Sequence, residues 1–298
     1  MVGDLLQLPP VVEKKEEAVL GGLGYKGSYF FDSHVARHAC RPATFVLERI
    51  HRQRDPGFAR LLNGVRLGNV DTQTLRHLNT RVFPESMILE EGGLVLTTRV
   101  WRAEMRNEQH LQSLPGPEHV YQGQVRGKFS RAKLPVPAEL RLRVGARVMF
   151  RKNHPDQKWQ NGTLGTLLEC GRDHLVVDRG GDGGPCRVER ATWETQAYSV
   201  DPGSGTLART VIGTYRQFPV MLGWAVTIHR SQGLSLDRVH VDLTGGVFST
   251  GQAYVALSRA RTLQGLTLER PIRRGDIMVD ARVVDFMAAT SKGTRSAA

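Results

Sequence analysis

The sequence predicts an α/β protein interrupted by a small all-β module, and three observations carry that expectation. Apolar strand runs alternate with amphipathic helical patterns on either side of the middle of the chain, the texture of a parallel sheet covered by helices. Between residues 140 and 205 the alternation gives way to short β-type runs separated by turn residues, spaced roughly ten residues apart as in small barrels. The chain has 298 residues, 40% of them hydrophobic, which is ample for a large domain with its own core.

Taken in order, MVGDLLQLPP opens with a Gly-Asp turn and a Pro-Pro stop, as though a preceding strand had been cut away. EKKEE at 13–17 reads as a charged surface segment, and 21–27 as a flexible loop. Asp55-Pro56 is a helix start, because the Asp side chain can accept orphan amide hydrogens and Pro suits the first helical position. That helix carries Phe58, Leu61, Leu62 and Val65 on one face and stops at Gly68, and a second follows through Leu75 and Leu78. Leu94–Thr97 is a short buried strand leading into the helix that carries Asn107.

In the middle segment the expected strands are 147–151, 163–170, 174–179 and 186–195, with Asn161-Gly162 as a hairpin signal and GGDGGP as a loop. Beyond 206 the reading is helix 219–232, strand 238–243, helix 250–260 and strand 264–269, with a disordered polar tail at 291–298. Residues 46–139 and 206–290 thus form one α/β domain, 140–205 an insertion, and 1–45 the tail of something earlier.

Lys and Arg total 41 against 29 Asp and Glu, a net charge of +12 that attracts polyanions, nucleic acid first among them. Ten basic side chains, Arg151 and Lys152 included, fall between 126 and 158 against only Glu139 and Asp156. Such a run is either a solvated face or a phosphate-backbone contact. Cys40, Cys170 and Cys186 form no Cys-x-x-Cys pair and no zinc set, which fits a reducing intracellular compartment. No run approaches the roughly 20 apolar residues that span a bilayer, and Met1 is not followed by a signal-peptide pattern.

The densest polar string is His229-Arg230-Ser231-Gln232-Gly233, placed after the apolar positions Met221, Leu222, Trp224, Ala225 and Ile228. A helix end explains the cations and the glycine, through the helix dipole and a left-handed cap. Four consecutive polar residues, about 100° apart, would still sweep most of a helix circumference, so something polar should meet that end. Arg52 and Arg259 read as arginines in loops beside helix starts, and Gln7 as an amide held by the Gly-Asp turn. A P-loop is missing: Gly123-QVR-Gly127-Lys128-Phe129 has three intervening residues where four are needed and Phe where a hydroxyl belongs. No acidic pair follows an apolar strand to hold Mg²⁺.

Together and in order, GDLLQLPPV (3–11), LERIHRQRDPGFARLLNGVRLG (47–68), AVTIHRSQGLSLDRVHVDL (225–243) and GQAYVALSRARTLQGL (251–266) resemble motifs III to VI of the PIF-type DNA helicases of superfamily 1B. GARVMFRKN and NGTLG resemble the SH3-like barrel inserted in the second RecA-like domain of that family. The resemblance implies that Gln7 senses the γ-phosphate of ATP, that Arg52 and Arg259 are arginine fingers, and that Gln232 and Gly233 line the nucleotide cleft. It implies that His229, Arg230 and Ser231 face single-stranded DNA or link it to the nucleotide, with Arg151, Lys152 and Asn161 of the barrel as further DNA contacts. Ser-Gln-Gly after Arg230 favours 5′-to-3′ movement.

The intact enzyme would use ATP and Mg²⁺ on single-stranded, forked or structured DNA in repair, recombination, replication or telomere maintenance. It would be a monomer, in the nucleus or mitochondrion of a eukaryote or the cytoplasm of a bacterium. The P-loop lysine and the Mg²⁺-binding acidic pair of the family belong to a first RecA-like domain, a missing amino-terminal partner here. The expectation is therefore a fragment or misplaced gene start, inactive alone, with a degenerate gene product as the other origin. A non-catalytic single-strand-binding module, and a Helitron or RecD-like helicase fragment, are the competing readings.

Overall fold

The computed structural model describes residues 3–39, 45, 52–53, 55–89, 92–200 and 206–291. Cys40 and most of the expected polar tail at 291–298 lie outside the described residues. In chain order the elements begin with α1 (Lys14–Gly22), α2 (Pro56–Leu67), α3 (Thr72–Asn79), α4 (Ser86–Leu89), β1 (Leu94–Thr97) and α5 (Val100–Ser113). The strands β2 (His119–Gln122), β3 (Gln124–Gly127), β4 (Glu139–Leu142), β5 (Arg147–Phe150), β6 (Leu164–Cys170), β7 (His174–Asp178) and β8 (Pro185–Glu189) follow. The rest are β9 (Ala191–Val200), β10 (Leu207–Gln217), β11 (Val220–Leu222), β12 (Ala225–Thr227), β13 (Val239–Asp242), α6 (Gln252–Leu257), β14 (Leu266–Leu268) and α7 (Ala281–Ser291). They form two compact units, Met1–Arg102 with Val226–Ala298, and Ala103–Ala225. No helix among the described residues is long and apolar enough to cross a membrane.

The first unit is built on a sheet of order β12-β1-β13-β14, with β13 parallel to both β1 and β14. Every residue of these four strands is buried, as expected of a parallel sheet covered on both faces. The helix α2 starts as its sequence dictates: Asp55 accepts a hydrogen bond from the Gly57 amide at 2.8 Å, Pro56 takes the first helical position, and Gly68 closes the helix at φ 71°. It buries Phe58, Leu62 and Val65. The segment before residue 39, expected as the tail of an earlier domain, belongs to this unit, where Leu6, Tyr29 and Val283 share a small core.

The second unit is antiparallel, with sheets ordered β11-β5-β6-β7-β8, β3-β10-β9 and β2-β4. Its core includes Leu140, Leu142, Val148, Phe150, Leu167, Val177, Phe218 and Val220. It is broader than the 140–205 insertion read from texture, because β2, β3, β10 and β11 pair within it. The last expected strand divides at Arg190 into β8 and β9, which join different sheets, and the Arg190 guanidinium there donates to Gln217 Oε1 at 2.9 Å. Asn161-Gly162 is a turn, with Gly162 at φ 94°, but it is the last part of a longer β5–β6 loop. Trp159 closes that loop by stacking on Phe150 and donating to the Lys152 carbonyl at 3.1 Å.

The expected helix 219–232 is not a helix. β11 pairs with β5, Gly223 passes so close to Val148 that an added Cβ would lie 2.8 Å from the Val148 carbonyl carbon, and β12 joins the parallel sheet beside β1. The run looked helical because its first part, 219–228, is mostly apolar, and periodicity cannot separate a continuously buried strand from a buried helix. Ile228–Ser231 is one 3₁₀ turn.

Asn107 on α5 replaces a missing ladder partner. Its Nδ2 donates to the Ala225 carbonyl at 2.8 Å and its Oδ1 accepts from the Ala225 amide at 2.9 Å. Asn107→Ala removes both partners from a buried site and is expected to cost about 1–3 kcal/mol. A lowered urea midpoint, with Asn107→Asp retaining part of the loss because it still accepts from the amide, checks this.

Candidate functional site

The turn after β12 distributes the His-Arg-Ser-Gln-Gly string in three directions. Ser231 is fully buried and its hydroxyl donates to the Ile228 carbonyl at 2.8 Å, so its side chain stabilises the turn and, of the two expected roles, is placed to link a strand to the nucleotide and not to face the strand directly. His229 is half-buried, and desolvation holds its imidazole below the ordinary histidine pKa. Its ring stacks near-parallel to Phe248, with centroids 6.0 Å apart. Arg230, Gln232 and Gly233 are exposed. Gly233 has φ 88° and nothing within 4 Å of an added Cβ, so backbone conformation, not crowding, selects glycine.

Gln232 turns to the other side and meets Gln7: its Nε2 donates to Gln7 Oε1 at 3.3 Å. Gln7 is held by the turn its sequence announced. The Gln7 amide donates to the Asp4 carbonyl at 3.2 Å, and its side-chain Nε2 donates to the Asp4 carboxylate at 3.3 Å. Asp4 is anchored in turn by Arg66 of α2 at 2.8 Å. Burial opposes ionisation of Asp4, but the hydrogen bond and charge of Arg66 outweigh it and hold the carboxyl below its ordinary range. Gly251 lets this loop approach α6, since an added Cβ would sit 2.4 Å from the Gln7 carbonyl oxygen.

Arg259 is not in a loop beside a helix start. It follows the end of α6, fully buried, and donates from Nε to the Val255 carbonyl at 2.8 Å, from Nη1 to the Leu234 carbonyl at 3.2 Å, and from Nη2 to Ser258 Oγ at 2.7 Å. Carbonyls of a terminating helix turn attract a cation, which is why the side chain folds back. Burial, with the charge of Arg52 adding to it, pushes Arg259 down to about 10. Arg52 donates to Ser235 Oγ at 2.9 Å and to the Ser258 carbonyl at 3.4 Å, and burial lowers its pKa as well. Neither arginine forms an ion pair among the described residues.

Tyr254 stands within electrostatic reach of Asp4, Arg66, Arg259 and Arg52, so the four groups surround one phenol. A cleft lined by Arg52, Gln53, Leu62, Asn63, Arg66 and Tyr254 opens there. Asp4, Arg66, Gln53 and Gly251 escaped the sequence reading. The available signals were Asp4 inside the Gly-Asp turn and the glycine directly before α6.

The remaining expected residues lie in the antiparallel unit. The Lys152 ammonium donates to the Thr192 carbonyl and lies 5.6 Å from the Trp193 ring centroid. Arg151 follows β5, its amide donating to the Pro219 carbonyl at 2.7 Å, and the Asn161 amide donates to Asn153 Oδ1 at 2.7 Å.

The donors around the cleft are guanidinium groups, carboxamides and a phenol, and the Asp4 carboxylate is taken by Arg66. That set fits the phosphates of a nucleotide and does not fit a resident metal ion, so no step can be assigned to Mg²⁺ on these residues. Elsewhere, Glu85, His240 and Glu269 bring ligand atoms within 4.8 Å of one another. Both His240 nitrogens are already engaged, Nδ1 with Thr267 Oγ1 at 2.9 Å and Nε2 with the Glu269 carboxylate at 2.8 Å.

No protein-family model matches the chain. The Bacteroides Pif1 structure bound to ssDNA superposes with a TM-score of 0.74 at 32% identity, over 99% of this chain and 68% of that one. The chain belongs to the PIF-type DNA helicase family. ATP-dependent DNA helicase PIF1 of Danio rerio is 35% identical over 274 residues, 89% of this chain. This PIF-type chain spans only 39% of that relative's length. Bacteroides Pif1 in complex with ADP-AlF3 and ssDNA is similar at a TM-score of 0.74 and 31% identity, over 97% of this chain and 66% of that one. The parallel-sheet unit is accordingly the RecA-like part of a PIF-type fold.

The Asp4–Arg66 pair gives a pH-dependent prediction. A carboxyl with a depressed folded pKa contributes stability that is present above its unfolded pKa, about 4, and lost as pH falls through the lower folded value. Asp4→Asn is expected to reduce unfolding stability by about 1 kcal/mol at pH 7. The difference from the parent chain should shrink below about pH 4, as measured by urea midpoints across that range.

Proposed function

We propose that the chain supplies the arginine-finger half of an ATP-dependent, 5′-to-3′ PIF-type DNA helicase. The observation that carries this is the pair Arg52 and Arg259, two guanidinium groups gathered at Ser258 that form no ion pair among the described residues, beside the joined amides of Gln7 and Gln232. Cations kept in a desolvated site are poised for an anion that arrives later, and the γ-phosphate of ATP is the anion this family offers. In this reading Gln7 reports on the γ-phosphate, and Gln232 and Gly233 close the cleft wall. Arg259 exchanges its carbonyl partners for phosphate oxygens when a P-loop-bearing domain presents them.

Neutralising charge in the transition state by such a finger is worth about 10³ to 10⁵ in rate. Hydrolysis then depends on domain closure, and closure and reopening move the strand. His229 and Arg230 take the single-strand side of the same turn. Arg151, Lys152 and Asn161 carry the strand on the antiparallel unit, read here as the SH3-like barrel. Forked or structured DNA is the proposed substrate, and ATP with Mg²⁺ the proposed cofactor of the joined enzyme.

The 298-residue chain alone is expected to show no DNA-stimulated ATPase, because its sequence contains no string that cradles the β- and γ-phosphates. Joined to a P-loop-bearing RecA-like domain of a PIF-type relative, it should support DNA-stimulated turnover. Arg259→Ala or Arg52→Ala should then lower turnover by about 10³ or more. Robust Mg²⁺-dependent turnover by the isolated chain would sink the division of labour. Single-strand binding with no turnover after joining would favour a non-catalytic binding module, the reading that the net charge of +12 also suits. Single-strand affinity should fall steeply between about 50 and 200 mM salt, and salt-insensitive binding would count against phosphate contacts.

A further inference from the structure

The RecA-like unit leaves two large aromatic rings at its surface, one of them, Phe248, against His229 of the motif turn. Phe248 is 47% exposed and Trp101 58% exposed. Neither occurs in the motif strings. Each ring carries a guanidinium: Arg99 Cζ lies 4.4 Å from the Phe248 centroid, and Arg102 Cζ lies 5.0 Å from the Trp101 centroid. On Phe248 the His229 ring adds a second near-parallel plane, at an interplanar angle of 16°.

The arrangement is held in place. The Phe248 amide donates to Gln252 Oε1 at 3.1 Å, and Arg99 Nε donates to the Gly245 carbonyl at 3.0 Å. Gly245 joins the two halves: an added Cβ would lie 2.9 Å from Arg99 Cγ and 3.5 Å from Arg102 Cδ, so both arginine stems pack against it. Arg102 is neutralised by Asp242 at 3.4 Å. Arg99 is exposed and, among the described residues, hydrogen-bonds only through Nε, which leaves its terminal nitrogens for an incoming anion.

Burial of rings of this size is worth about 1.5–3 kcal/mol each, so two left exposed on a braced surface, flanked by cations, need a ligand with flat faces and negative charge. Single-stranded nucleic acid has both: unpaired bases stack on aromatic rings and guanidinium planes, while the phosphates take the free donors. Duplex DNA keeps its base faces covered, which disfavours it as occupant.

We propose that Phe248 and Trp101 form a base-stacking ledge for single-stranded nucleic acid, with Arg99 as its phosphate contact and His229 as its link to the motif turn. The ledge rests on the reading that this chain binds single-stranded DNA. It adds to that reading a contact with bases, where Arg151, Lys152 and Arg230 supply charge.

The test compares binding of the purified 298-residue chain to a short oligo-dT and to an abasic strand of the same length and charge, by fluorescence anisotropy. Stacking predicts that oligo-dT binds about 5- to 150-fold more tightly per stacked base. Phe248→Ala and Trp101→Ala should each remove much of that preference and leave the salt slope unchanged, since neither alters charge. Phe248→Tyr should retain it. Equal affinity for the two strands, or a preference untouched by both alanine variants, overturns the ledge while leaving single-strand binding intact. A parent chain that binds neither strand overturns the single-strand reading itself and the ledge with it.

Discussion

The geometry of the candidate site depends on one tight reversal of the chain. β12 runs to Thr227 inside a fully buried sheet, and the chain must leave that sheet within a few residues. Ile228 and Ser231, both buried, pin the 3₁₀ turn from inside, and the Ser231 hydroxyl closes it on the Ile228 carbonyl. With those two positions fixed, His229 is carried toward Phe248 and Gln232 toward Gln7. Two surfaces of different chemistry are thereby set three residues apart on one short turn, so that the cleft and the proposed strand-binding face share a single element.

On the cleft side, among the described residues, one ion pair shapes a loop while two guanidinium groups are held by neutral acceptors. Asp4 and Arg66 neutralise each other and shape the Gln7 loop, whereas Arg52 and Arg259 rely on carbonyls, hydroxyls and burial. A buried cation without a counter-ion is costly in a folded protein, and neutral acceptors recover only part of that cost. The arrangement is economical only if an anion completes it, which links the packing of α6 to the proposed role in phosphoryl transfer. The exposed side uses the complementary device, aromatic faces with guanidinium neighbours, where contact is planar and tolerant of sequence.

The antiparallel unit follows other rules. Its strands alternate between buried and exposed positions, as in β7 and β8, so its surface is freely polar and basic while its core stays continuous. Asn107 shows how α5 is tied into this unit: one carboxamide satisfies both backbone groups of Ala225 where no strand could do so. Trp159 performs a similar service for the β5–β6 loop, roofing Phe150 and fixing the segment that carries Lys152 and Asn161.

Much of this was legible locally. Asp55-Pro56 and Gly68 bounded α2 because caps act within a turn of the chain, and the alternating runs located β5, β6 and β7 because side-chain period is a local property. The motif strings named Gln7, Arg52, Gln232 and Arg259 as one constellation, and the structure gathers them in one unit, Gln7 against Gln232 and both arginines at Ser258. Sequence alone could not separate helix from buried strand at 219–232, since its mostly apolar first part satisfies both periods until partners are known. Nor could it show that Ser231 faces inward, that Arg259 folds back into α6, or that Asp4 and Arg66 brace the Gln7 loop across 62 positions. Composition and local pattern determined which residues were available, and tertiary packing decided which way each side chain points, because direction depends on contacts with distant segments of the chain.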